Sequence, residues 1–174
     1  NGHDENDRFS IQAPFNFNNS KKIKDLVIGY LPGAFEEGAS ELDRATLEVA
    51  KNLGVKVKKV ELEDLPYMSL INILYAEAAA TFEHLTLSNE DDTLTRQDKE
   101  AWPNIFRKAR FLSAVDHVQL DRLRYLVMKA LDKLFKEVDI LIGPFDTGPM
   151  LVASNFTGHP CLPLRAGFEY LATR

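Results

Sequence analysis

The sequence predicts an α/β fold, a mixed and mostly parallel sheet covered by helices. Three observations carry this. Short, nearly continuous apolar runs stand at residues 25–31 and 139–144, as expected of strands buried on both faces. Elsewhere, apolar residues recur at the three-and-four spacing of amphipathic helices. Finally, a strand, a helix and a second strand follow one another within roughly 40 residues, the sequence form of a βαβ unit with parallel strands.

Each element has its own warrant. Residues 1–20, "NGHDENDRFSIQAPFNFNNS", are polar and aperiodic yet carry Phe9, Ile11, Phe15 and Phe17. A free tail seldom holds so many large apolar groups, so an extended segment docked on a surface is expected. "DLVIGYL", Asp25–Leu31, is the first strand, and "LPGAFEEGAS" is a loop. A helix follows from Glu41 to Leu53, with Leu42, Ala45, Thr46, Val49, Ala50 and Leu53 on one face. Ser40 is its N-cap, and Gly54 takes the left-handed position after its end. Val55–Leu62 is the second strand. Beyond Pro66 a mainly apolar helix is predicted from Ser69 to His84, then an exposed loop over Leu85–Glu100. Phe111–Val138 reads as one long helix and "DILIGP", from Asp139, as the third strand. Asn155–Pro160 reads as a tight polar turn leading into a fourth strand, "CLPLRAG". A sheet of four strands leaves backbone edges that natural proteins cover. The 174 residues are therefore expected to form a single incomplete domain, cut at both ends.

Composition narrows the function classes. Hydrophobic residues make up 45% and charged residues 27%, the mix of a chain that buries a core. A net charge of -5 argues against a dedicated nucleic-acid binder. The cluster Lys56-Val57-Lys58-Lys59 alternates with an apolar residue, as on the solvated face of a strand. No run of about 18 apolar residues occurs, so no membrane span is expected. Asn1–Ser10 has neither the basic nor the apolar region of a signal peptide. The single cysteine excludes an internal disulfide framework, and a cytoplasmic location is expected.

Motif chemistry is sparse. His3, His84, His117 and His159 show no ligand spacing, so no metal is expected. Cys161 stands beside Leu162 and Leu164 and reads as a buried structural cysteine. Ser154, His159 and Asp146 could be drawn together as a triad, but only proximity recommends the set. Gly29, Gly33 and Gly38 are spaced wrongly for a dinucleotide loop, and no cofactor is expected. The acidic run "NEDD" reads as solvated. The residues themselves point to no catalytic group in this chain.

A family resemblance adds to this reading. "VDILIGPFDTGPMLVASNFTGHPCLPLRAGF", Val138–Phe168, resembles the later part of the amidase signature family, hydrolases of carboxylic amides. Asp139, Pro144, Asn155, Gly158, Pro160 and Gly167 hold the places of that pattern. Gly143-Pro144-Phe145 and Arg165-Ala166-Gly167 depart from the family's Thr-Pro-Thr and Pro-x-Gly. Upstream, Gly2, Asp4 and Asp7 resemble its Gly-x-Asp-x-x-Asp segment, and "KIKDLVIGYL" the strand after it. "ATLEVAKNLGVKVKKVEL" resembles its helix-turn-strand. "RKARFLSAVDHVQLDRLR" resembles the approach to its long helix, with His117 where a tyrosine is usual. The order of the segments covers nearly the whole chain.

The resemblance implies amide hydrolysis through a serine acyl-enzyme. A lysine would act as base through a bridging serine, and a second serine would attack the amide carbon. That machinery belongs upstream of the Gly-x-Asp segment, so this chain is expected to be the substrate-side part of a larger amidase signature domain. Its partners would be a small-molecule amide and the N-terminal half or partner chain that completes the sheet, with no nucleic acid and no membrane. Because ligands gather at the carboxyl ends of parallel strands, the candidate substrate-binding residues are Phe145, Asp146, Thr147, Asn155, Thr157 and Tyr75. Asp146 reads equally well as a turn-stabilising residue, Asn155 as turn geometry and Tyr75 as core. Two alternatives stay open: a non-catalytic amidase-like interaction module, and the amidase component of a tRNA-dependent amidotransferase.

Overall fold

The computed structural model describes residues 3–8, 10–14, 16, 20–36, 39–144 and 148–168. Its centre is a parallel three-stranded sheet in the order β2-β1-β3. Strand β1 is Val27–Tyr30, β2 is Lys56–Lys59 and β3 is Ile140–Ile142. Ile28 of β1 stands opposite Val57 on one side and Ile140 on the other. The chain thus steps from the central strand to one edge, then crosses to the opposite edge.

The helices are α1 (Pro32–Glu36), α2 (Glu41–Asn52), α3 (Ile71–Thr81), α4 (Glu83–Leu87), α5 (Trp102–Ala109), α6 (Ala114–Leu134) and α7 (Pro149–Thr157). Alternation along β1 sorts them onto two faces. Tyr30 packs with Phe35 of α1 and Leu47 of α2, and Val57 and Ile142 join that cluster. Val27, Leu31 and Leu141 pack on the other face with Val60, Leu134 and Val138. Behind it, Tyr67, Leu70, Ile73, Val127, Leu131 and Ala153 form the interior shared by α3, α6 and α7. Gly29 sits at the tightest point: a Cβ there would lie 3.0 Å from Val138 Cγ1 and 3.3 Å from Leu141 Cδ1. This glycine serves close packing.

The α/β prediction and the βαβ unit hold. Ser40 caps α2 in a full capping box with Asp43, and Gly54 has φ 75°. Several local expectations change. The loop after β1 contains α1. The helix from Ser69 opens as a 3-10 turn, Tyr67–Leu70, and breaks at Phe82, whose ψ of 23° leaves the helical range. The long helix is shorter than predicted, because the Ser113 hydroxyl caps it by accepting from the Asp116 N–H at 3.0 Å. Helix α5 falls where no element was expected; it opens with Pro103 in its first turn, a position that tolerates the missing N–H.

The expected docking of the N-terminal segment is not seen among its described residues. Ile11 is exposed, and residues 3–8 and Ser10 bond among themselves instead. Ser10 Oγ accepts from the Asp4 N–H at 2.8 Å, and Asp4 Oδ1 accepts from the Asn6 N–H at 2.9 Å. Phe9, Phe15 and Phe17 lie outside the described residues. Cys161–Gly167 forms no strand, since no ladder reaches it, and Cys161 is exposed rather than buried. No helix among the described residues is long and apolar enough to cross a membrane.

Candidate functional site

Strands β1 and β3 are adjacent and parallel, so their carboxyl ends come together at one point on the sheet rim. In open parallel sheets the crevice outside that point is where ligands bind. From β1 it receives Leu31 and α1; from β3 it receives Gly143 and Pro144. Arg44, at the start of α2, braces this rim. Its Nε donates to the Phe35 carbonyl at 3.1 Å, holding the end of α1 in place. Phe145, Asp146 and Thr147, the candidates nominated by the strand-end rule, lie outside the described residues.

The predicted turn at Asn155–Gly158 is the last turn of α7 and its cap. Asn155 Nδ2 donates to the Leu151 carbonyl at 2.7 Å, and Thr157 Oγ1 donates to the Ala153 carbonyl at 2.7 Å. Both side chains therefore satisfy their own helix, and Gly158, with φ 74°, ends it. This is why an Asn-x-Thr-Gly run that reads as a turn folds as helix up to the glycine. Tyr75 belongs to a different cluster. Its ring meets Trp102 edge-on at 6.4 Å, and Trp102, Phe106 and Phe82 continue the series at 5.6 Å each. The structure brings Asn155 and Thr157 together on one helix and leaves Tyr75 among aromatic neighbours on α3 and α5.

One polar arrangement escaped the sequence reading. Because the Thr157 hydroxyl gives its proton to Ala153, it accepts from His159 Nδ1, 2.7 Å away. The ring proton is thereby assigned to Nδ1, leaving Nε2 as the acceptor nitrogen. The imidazole stacks on Phe135 of the segment after α6 at 5.0 Å and 17°. The signal was present as Thr-Gly-His across a helix end, but the partner Phe135 is distant in sequence. Ser154 Oγ donates back to the Leu151 carbonyl at 3.1 Å, so it is not paired with this histidine. Among the described residues no group of three or more His, Cys, Asp or Glu side chains could hold a metal ion.

Charge is concentrated away from the crevice. At the amino end of the sheet, the Asp139 carboxylate binds Lys21 and accepts the Val27 N–H at 2.9 Å. Lys21 first, then that N–H, hold its carboxyl below the usual range. Lys58 does the same for Glu137. Burial, chiefly, pushes the Tyr67 phenol up while it donates to the Glu63 carbonyl at 2.7 Å. An open furrow of about 650 Å³ runs between Lys59–Glu63 and the end of α6. Its rims carry Lys59, Glu61, Glu63, Lys133 and Glu137, a mixture of signs typical of a solvated surface, and no candidate site residue lines it. Compared with models of known protein families and with curated proteins, the chain matches none.

Proposed function

We infer that this chain is the substrate-side portion of an amidase, a hydrolase that cleaves carboxylic amides through a serine acyl-enzyme whose nucleophile lies outside these 174 residues. The observation that carries the reading is the ordered series of amidase-signature-like segments, from Gly2-x-Asp4-x-x-Asp7 to Asn155-x-x-Gly158-x-Pro160. The adjacent carboxyl ends of β1 and β3 support it, because ligands gather outside the carboxyl ends of parallel strands. In this reading the serine outside the chain attacks the amide carbon, and backbone N–H groups receive the negative charge on oxygen. The present residues shape the acyl side. Phe145, Asp146 and Thr147 are the residues this reading assigns to substrate contact, with Asn155 and Thr157 at the end of α7.

A fluorophosphonate tests the reading directly. It should label the longer protein covalently and leave every serine of these 174 residues unmodified. Labelling of Ser154, or of any serine within this chain, would place the nucleophile here and sink the assignment. A second reading, a non-catalytic interaction module, is favoured by one observation. Helix α6 leaves Val115, Val118, Tyr125 and Leu126 exposed along one side. A longer protein that folds with this region yet neither labels nor hydrolyses an amide panel would make that reading the better one.

A further inference from the structure

Residues 88–100, between α4 and α5, are held to the rest of the molecule by polar groups. Every residue among them is exposed except one, and that one buried side chain is the carboxylate of Asp91. The single large apolar side chain of the segment, Leu94, is 39% exposed. The chain turns at Asn89, whose φ of 60° is a left-handed conformation that asparagine tolerates, and runs on through the 3-10 turn Glu90–Thr93. It rejoins the core at Ala101, which is buried.

Helix α5 supplies the attachment. Asn104, Arg107 and Lys108 stand three and four apart and so share one helix face. Asn104 Nδ2 donates to the Gln97 and Asp98 carbonyls at 3.1 Å each, and Lys108 Nζ donates to the Lys99 carbonyl at 2.7 Å. Arg107 Nη2 lies 2.7 Å from Asp91 Oδ2 and donates to Asp92 Oδ1 at 2.9 Å. Within the segment, Gln97 Nε2 donates to the Asp91 and Leu94 carbonyls at 2.9 Å each, which ties its two halves together. Water replaces such exposed bonds at small net cost. The Asp91–Arg107 pair is the one tie with a fully desolvated member, so it weighs most in holding the segment down.

We propose that residues 88–100 form a strap that lifts off α5 as one unit while the sheet and the helices stay folded, and that the Asp91–Arg107 pair is its latch. Lifting returns the Asp91 carboxylate to water and frees the donors of Asn104, Arg107 and Lys108 on one face of α5. Openings of this kind lie below global unfolding in free energy and belong to segments with few buried apolar contacts. The proposal does not depend on the amidase reading.

Limited trypsin digestion of the full-length protein tests it, because Arg96 and Lys99 both lie inside the strap. Cleavage there needs chain freed from α5, and when reclosing is fast its rate follows the open population. Arg107→Met should speed cleavage at both sites at least about 10-fold, since it leaves Asp91 buried without its cation. Arg107→Lys keeps a cation without the planar fork and should give a smaller increase; it is the variant to read if the methionine protein does not fold. Leu131→Ala weakens the core shared by α3, α6 and α7, and should leave the rate within about 2-fold of the parent. Equal acceleration by Leu131→Ala and Arg107→Met would mean that the strap opens only with the whole fold, and would overturn the proposal. Cleavage indifferent to both Arg107 variants would overturn it as well, because trypsin would then be cutting a strap that this pair does not hold.

Discussion

The helical layer behind the sheet and the outward surfaces of α6 and the chain after α7 are opposites. On its inward stripe α6 buries Val127 and Leu131 against α3 and α7, and Leu134 against Val60 and Val138. On its outward stripe it exposes Val115, Val118, Tyr125 and Leu126. The buried side also tolerates a charge by pairing it. Asp91 is fully buried in a 3-10 turn, and Arg107 Nη2 of α5 lies 2.7 Å from its Oδ2. Neither Asp91 oxygen receives a well-aligned hydrogen bond, so that contact is ionic in character. The lesson is that this sequence buries one apolar stripe of α6 and leaves the other exposed.

Substitutions can break or sharpen that contrast, and Leu131→Ala should have the largest effect. It should destabilise by about 2–5 kcal/mol in urea unfolding, because the site is packed from three sides and collapses poorly. Arg107→Met should cost about 2–3 kcal/mol by leaving Asp91 buried without its cation. The figure is set below that of a fully buried pair because the Arg107 side chain is 38% exposed. Ser40→Ala should cost about 1 kcal/mol through loss of the α2 capping box, read from the unfolding midpoint.

Acid should act on the clamp at the amino end of the sheet. Asp139 and Glu137 have carboxyls held below their ordinary values of 3.8 and 4.5. A depressed carboxyl contributes stability that is present above the unfolded value and lost as pH falls through the folded one. Unfolding followed by circular dichroism should therefore steepen below about pH 4.5, and Asp139→Asn should flatten part of that dependence. The smallest effect belongs to the open surface. Leu126→Ala should change the stability of this chain by no more than about 0.5 kcal/mol. A large loss there would mean the outward stripe is already covered.

Much of the fold was legible because its signals are local. Ser40 and Gly54 bracket α2, and apolar runs mark β1 and β3. What the residues could not disclose depends on partners remote in sequence. Leu162 and Leu164 alternate as a strand does, but alternation says nothing about whether a neighbour is present to complete the ladder. For the same reason Cys161 is exposed where its apolar neighbours implied burial. Asn155 and Thr157 were read by turn propensity, whereas bonds to the carbonyls four residues back hold them in helix. His159 was passed over because Phe135, the ring beneath it, stands in another element.

The parallel sheet also sets a timetable. Val27 and Asp139, which exchange backbone and side-chain hydrogen bonds at the foot of β1 and β3, are separated by 112 residues. Strand β2 pairs with β1 across only α1 and α2, so that side can form while the ribosome is still at work. At roughly 5–20 residues per second, the other side of β1 waits between about 5 and 20 seconds for its neighbour to be made. During that interval Ile28 and Tyr30 lie on a half-built sheet, and the edge of β1 that β3 will cover stays open until β3 is made.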